Sequence, residues 1–266
     1  MTYGFIGTGN MGAAIIRGMA GSGLFSGDKL CGYNRTPSKA EELEACGLEV
    51  LSSADEVAAK SDVIVLCVKP QQMSDMIASV SPSSFAGKLV ITIAAGLPLS
   101  YYNSSIPDSR VIRAMPNLNA KYLESVTGIC PDASSSQDDT GIAKKVFSSI
   151  GSVFEIQESL FPAFSAVAGA SPAFTFMYAD ALAMAAVKAG IPRKTAMEIA
   201  AAAIKGSAET LIRSGEHPDS LRDKVCSPGG TTIEGVSVLE NVSFKGAVME
   251  AVEAVIEKDK IGRAHV

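Results

Sequence analysis

Phe5-Ile6-Gly7-Thr8-Gly9-Asn10-Met11-Gly12 stands a few residues from the first methionine and runs straight into a helix-period apolar pattern of Ala13, Ile15, Ile16 and Met19. Three glycines spaced G-x-G-x-x-G between a short hydrophobic strand and a helix make a phosphate cradle. The first permits the tight turn, the second lets backbone approach a pyrophosphate, and the third lets helix pack on strand. The start of the helix adds unpaired N–H groups and the positive end of its dipole. The spacing alone is a weak signal, but a second strand-like run over residues 29–33 follows where a βαβ unit places it. Ile6, Gly7, Thr8, Gly9, Asn10, Met11 and Gly12 are therefore expected to hold a dinucleotide.

The end of that second strand chooses between the two nicotinamide cofactors, because an acid there accepts from a ribose 2′-OH and repels a 2′-phosphate. This chain reads Asn34-Arg35-Thr36-Pro37-Ser38-Lys39, with no acid. Arg35 offers a planar cationic fork for phosphate, with Asn34, Thr36 and Ser38 as short hydrogen-bonding partners. The expected cofactor is NADPH, with NADH as the weaker alternative.

Outward from this unit, residues 63–67, 89–93, 111–114, 126–130 and 152–156 read as strands, alternating with helix-period stretches at 38–46, 71–80 and 140–149. Such alternation implies an α/β, Rossmann-type, mostly parallel sheet covered on both faces, with ligands beyond the carboxyl ends of its strands. Val68-Lys69-Pro70 and Ala94-Ala95-Gly96 follow two such ends and become cofactor candidates. Lys69 either approaches the cofactor or closes off the strand. Ala94, Ala95 and Gly96 carry no functional side chain, so they matter only if a nicotinamide ring or ribose lies against bare backbone.

Beyond about residue 160 the strand signal stops. Residues 163–190, 192–215, 218–225, 231–239 and 244–258 all read as helices, with Gly190, Gly215 and Gly230 as punctuation. The expected division is a cofactor domain over 1–157, an all-helical domain over 158–260, and a tail over 261–266. Residues 173–187 are apolar nearly all round the helix, which demands burial on every side, so this half is expected to pack against another copy. The most apolar window, residues 172–189, is long enough to raise a membrane span, which Asp180 near its middle and Lys188 near its end disfavour.

Composition narrows the function classes. The 266 residues are 47% hydrophobic, ample for a core, with a net charge of −5 and pI near 5.2. No basic run is present for nucleic acid. The N-terminus lacks the pattern of a signal peptide, so a cytoplasmic location is expected. Five scattered cysteines without a C-x-x-C and only two histidines read as packing and surface residues, and no metal site is expected.

A second glycine loop, Ser227-Pro228-Gly229-Gly230-Thr231-Thr232-Ile233-Glu234, lies between two helices. Pro228 fixes its entry, the glycines free the backbone, and Thr231 or Thr232 is placed to cap a helix whose N–H groups attract a carboxylate or phosphate. From Pro218 through this loop to Glu240 the chain resembles the signature segment of pyrroline-5-carboxylate reductases. So do the first glycine motif, Val68-Lys69-Pro70-Gln71 and Arg113-Ala114-Met115-Pro116-Asn117. The order and spacing of these blocks fit that family from the N-terminus to about Glu257.

The resemblance implies the last step of proline synthesis, hydride transfer from NAD(P)H to the C=N carbon of 1-pyrroline-5-carboxylate. It further implies an N-terminal Rossmann domain, a C-terminal helical domain that dimerises, and a substrate site formed across that dimer. Ser227, Gly229, Gly230 and Thr231 would hold the substrate carboxylate, and Thr232 would face the ring nitrogen as the catalytic group. A larger ring of dimers is compatible with the resemblance. Cys226 departs from the serine frequent in the family, and the tail 261–266 does not extend the pattern.

His217 and His265 sit in no convincing acid–base setting and read as surface residues. A carbonyl-reducing enzyme would need a proton donor for its developing alkoxide. An imine can enter already protonated as an iminium, which makes positioning the main source of acceleration. Two rival functions fit less well. A 3-hydroxyacid dehydrogenase-like enzyme needs a lysine on its first long helix, where this chain has only Lys188 at the end. A non-catalytic NADP(H)-sensing dimer has no use for a second anion loop.

Overall fold

The computed structural model describes residues 1–263. Its first compact unit is Met1–Gly169, joined by the chain's end from Ile256, and its second is Ala170–Val255.

The first unit carries eight strands: β1 Thr2–Ile6, β2 Lys29–Tyr33, β3 Leu48–Val50, β4 Val63–Leu66, β5 Leu89–Thr92, β6 Arg110–Met115, β7 Ser125–Pro131 and β8 Gly151–Glu155. They form one sheet in the order β3-β2-β1-β4-β5-β6-β7-β8. Every pairing is parallel except β6 with β7. That exception follows from chain length, since a short 3-10 turn at Leu118–Tyr122 with left-handed Leu123 joins the two strands, too little chain for a crossover. Strand periodicity sorts the core into two faces. Tyr3, Phe5, Val63 and Val65 point to one apolar cluster, while Ile6, Ile64 and Leu66 point to the other.

Helices α1 Asn10–Gly21, α2 Ser38–Glu41, α3 Ala54–Lys60, α4 Met73–Ala78, α5 Pro82–Phe85, α6 Leu99–Ser105, α7 Gln137–Ser148 and α8 Phe161–Phe164 complete this unit. The helix expected over 38–46 is divided into α2 and a 3-10 turn, Glu44–Cys46, ending at left-handed Gly47. Residues 165–170 form a π-helical run. The unit reaches Gly169 because residues past 157 also pack on the sheet, with Phe161, Ala166 and Ala168 buried.

The second unit holds α9 Ser171–Lys188, α10 Arg193–Ser214, α11 Pro218–Val225, α12 Thr231–Asn241 and most of α13 Phe244–Arg263. Its buried apolar cluster is small, built on Ala183, Ala196 and Ala200 where α9 meets α10. Large side chains face outward instead: Met177 is 73% exposed and Ile212 76%, with Phe176, Met184 and Met249 alongside. The run Glu158–Lys188 is long and apolar enough to cross a bilayer by length and composition, yet Asp180 within it pairs with Arg193.

Candidate active site

β1 lies between β2 and β4, so its carboxyl end is the point where the strand order reverses, and a crevice forms there. The first glycine loop fills that position. Gly7 has φ +100°, and a Cβ on it would stand 2.8 Å from the Cys67 carbonyl oxygen. A Cβ on Gly12 would stand 2.4 Å from the Gly7 carbonyl oxygen, so only glycine lets α1 approach β1 this closely. At Gly9 the added carbon meets nothing within 4 Å. Two of the three glycines thus face protein, and one faces open space.

Gly9 is also the N-cap of α1. It brings no side chain to cap the helix, and the first turn carries no acid. The leading N–H groups therefore remain for an outside acceptor. Thr8 is 2% exposed, and its Oγ1 has no hydrogen-bond partner among the described residues. Its backbone N–H donates to Asn34 Oδ1 at 3.0 Å, and Asn34 Nδ2 donates to the Thr36 carbonyl at 3.0 Å. Asn34 therefore ties the glycine loop to the turn after β2. A buried hydroxyl without a protein acceptor, an uncapped helix start and a glycine facing open space all fit a dinucleotide's pyrophosphate.

A cavity of about 460 Å³ opens at this crevice, lined by Ile6, Gly7, Gly9, Asn34, Arg35, Thr36, Lys39, Val68 and Lys69 among others. Arg35, Lys39 and Lys69 bring three cations to it against one carboxylate, Asp75. Lys69, left open by the sequence, is thus on the cavity wall, and Pro70 behind it starts a 3-10 turn. Gln72, Asp75 and Ser79 also line the cavity and were missed. Their i, i+3, i+7 spacing along the segment after β4 was the available signal. Cys67 lines it as well, with burial pushing its thiol up to about 12.

On the other side of the loop, Thr8, Asn10 and Met11 line a second cavity of about 600 Å³ with Arg17, Leu118 and Lys121. Ala94, Ala95 and Gly96 line neither cavity. Ala94 is buried, Ala95 exposed, and Gly96 adopts φ +84°.

In the second unit, Ser227 to Gly230 forms a β-turn. The Gly230 N–H donates to the Ser227 carbonyl at 3.0 Å, with Pro228 and left-handed Gly229, φ +66°, at its centre. This is the type II pattern, which calls for proline and then glycine at those two places. A Cβ on Gly230 would stand 2.4 Å from Ser227 Oγ, so the serine hydroxyl folds over the turn. α12 begins at Thr231 with Gly230 as its N-cap and no side-chain cap. The expectation that Thr231 or Thr232 caps this helix is corrected. Both lie inside its first turn, and a hydroxyl caps only from the residue before. The helix start is left uncapped and exposed, and unlike α1 it carries an acid, Glu234, in its first turn.

His217 is exposed and caps α11, its Nδ1 accepting from the Asp219 N–H at 3.3 Å, while His265 lies outside the described residues.

A family model for pyrroline-5-carboxylate reductase dimerisation matches residues 158–261, and one for NADP oxidoreductase, coenzyme F420-dependent, matches residues 2–96. The chain is 40% identical to the pyrroline-5-carboxylate reductase of Escherichia coli over 97% of this chain and 96% of that one. Among solved structures it superposes with a TM-score of 0.93 on a pyrroline-5-carboxylate reductase from Coxiella burnetii, at 28% identity, covering 98% of this chain and 97% of that one. It matches the Plasmodium falciparum pyrroline carboxylate reductase with NADP bound at a TM-score of 0.86 and 30% identity, covering 99% and 98%.

Proposed function

Because this chain belongs to the pyrroline-5-carboxylate reductase family, it reduces 1-pyrroline-5-carboxylate to L-proline with NADPH, and we propose that its two glycine loops divide that work. When bound, the cofactor supplies the hydride. The loop from Ile6 to Gly12 grips its pyrophosphate through the N–H groups of α1 and the Thr8 hydroxyl. Arg35, with Thr36, Lys39 and Lys69, takes the 2′-phosphate and sets the preference for NADPH over NADH. Val68 and Pro70 shape the wall, and the backbone of Ala94, Ala95 and Gly96 backs the nicotinamide.

The loop from Ser227 to Thr231 holds the substrate carboxylate on the uncapped start of α12. Thr232 faces the ring nitrogen, fixing its proton and orientation, so that the reaction needs no histidine. The observation that carries this reading is the pairing of two helix starts, α1 and α12, each preceded by a glycine and each without a side-chain cap.

The outward apolar side chains of the second unit, Ala170–Val255, support a homodimer. The five free cysteines fit a reducing cytoplasm. Proline formation from pyrroline-5-carboxylate with each cofactor in parallel, together with the mass in solution, tests these points. The reading expects turnover with NADPH favoured and a mass of at least twice 27.5 kDa. A monomer that turns over, or equal use of NADH, contradicts it.

A further inference from the structure

Residues 93–98, between β5 and α6, have no side chain able to do chemistry, yet a polar network, buried except for half-buried Glu158, holds both ends of the segment. At its entry, Thr92 Oγ1 accepts from the Ala94 N–H at 3.4 Å and is hydrogen-bonded to the Tyr102 hydroxyl at 2.7 Å. At its exit, Glu158 Oε1 accepts the Leu99 N–H, the first of α6, at 2.7 Å and Arg113 Nη1 at 2.9 Å. The Arg113 guanidinium lies 4.3 Å over the Phe161 ring. Thr92, Tyr102, Arg113 and Phe161 are each 0% exposed. Buried Ala94 and Leu97 pin the segment into the core, while exposed Ala95 and left-handed Gly96 form its apex.

Stability does not explain such an arrangement. Even a fully buried ion pair is commonly no better than well-packed apolar side chains of the same volume, and here only Arg113 is buried while Glu158 keeps 31% of its side chain exposed. What a charged pair adds is a defined position for the groups it binds, and here those groups include the backbone on which α6 starts. Burial pushes the Tyr102 phenol up to about 12, so it stays a neutral hydrogen-bonding group throughout the working range.

We propose that Thr92, Tyr102, Arg113 and Glu158 are positioning residues for hydride transfer, fixing the backbone of Ala94, Ala95 and Gly96 against which the nicotinamide end of the cofactor is held. This rests on the proposed placement of that loop in the cofactor site. None of the four touches the reacting atoms. They act through the loop, whose displacement by a fraction of an ångström changes the distance over which hydride must move.

Tyr102→Phe keeps the ring and removes the hydroxyl. It is expected to lower kcat about tenfold and to raise the primary isotope effect seen with 4-deuterated NADPH. Binding of 2′,5′-ADP, which fills only the adenine end, is expected to stay within twofold. Glu158→Ala is expected to do the same. Glu158→Gln, whose amide oxygen still accepts from Leu99, is expected to recover kcat while losing stability, a separation that a purely structural role does not give.

Ala95→Leu, at the exposed apex, separates this inference from the placement beneath it. If Ala95→Leu abolishes turnover while Tyr102→Phe and Glu158→Ala keep the wild-type kcat and isotope effect, the network is structural only and the inference falls alone. If Ala95→Leu leaves NADPH turnover untouched, the loop is not at the reacting end, and the placement falls together with the inference.

Discussion

Gly9→Ala separates cofactor grip from folding more cleanly than any other single change in the first unit. The residue's φ of −70° and ψ of −168° suit any L-amino acid, and a methyl there meets no atom within 4 Å. Losing glycine at an N-cap costs about 0.5–1 kcal/mol, and the smaller entropy of the unfolded chain returns about 0.4–1 kcal/mol. Stability should therefore hold to about 0.5 kcal/mol, a Tm shift of about 2 °C or less.

Cofactor binding should not hold. The methyl occupies the space that a pyrophosphate needs, and each charge-assisted hydrogen bond lost costs about 1.5–3 kcal/mol, or about 10- to 150-fold in Kd. Gly12→Ala is the internal control. Its Cβ would lie 2.4 Å from the Gly7 carbonyl oxygen, backbone against backbone, so α1 must retreat from β1. Overpacking of about 1–3 kcal/mol then sets in against a helix-propensity gain of about 1 kcal/mol, and both stability and NADPH affinity should fall. NADPH titration by fluorescence, beside thermal melts, reads both quantities. A Gly9→Ala protein that binds NADPH within twofold of wild type refutes the assignment of that space to the pyrophosphate.

Arg35→Asp should move the ratio of kcat/KM for NADPH over NADH by at least about tenfold towards NADH; an unchanged ratio removes Arg35 from the 2′-phosphate. Thr232→Ala should lower kcat by about tenfold or more with NADPH affinity intact, and a matching loss of cofactor affinity would show that the residue is misplaced. Asp139→Asn probes the unit's stability. Burial raises the Asp139 carboxyl, but hydrogen bonds from Arg110 and Ser136 outweigh it and hold the group below its ordinary 3.8. A lowered native value stabilises the fold above the ordinary value, and that stability fades as pH falls through the native one. The variant should thus melt several degrees lower at pH 7, about 1.5–3 kcal/mol. The gap to wild type should close as the pH drops below 3.8, and a gap independent of pH would contradict the pairing.

Much of this was legible because the decisive features are backbone features written as glycines. The close packing at Gly7 and Gly12 and the open space at Gly9 match the spacing of the motif, and the absence of an acid after β2 pointed to NADP. Side chains that act through distant partners were not legible. Glu158 and Arg113 are 45 positions apart, and nothing local in either segment marks them as a pair. Gln72, Asp75 and Ser79 share a helical face that periodicity would have exposed, had it been read for polar rather than apolar residues. β7 runs antiparallel because of the length of its connection, a matter of chain reach rather than of the strand's own residues. Thr231 and Thr232 looked like caps because capping residues are recognised by type, whereas Gly230 takes the position by conformation.

Hydride should pass directly from a pyridine nucleotide, gripped by one glycine loop, to the C=N carbon of an acid gripped by the other. NADPH deuterated at the transferable position of its nicotinamide, incubated with enzyme and pyrroline-5-carboxylate in ordinary water, tests it in one mass and NMR measurement of the proline formed. Direct transfer leaves one deuterium per molecule, on carbon 5. Proline without deuterium at that carbon would contradict it.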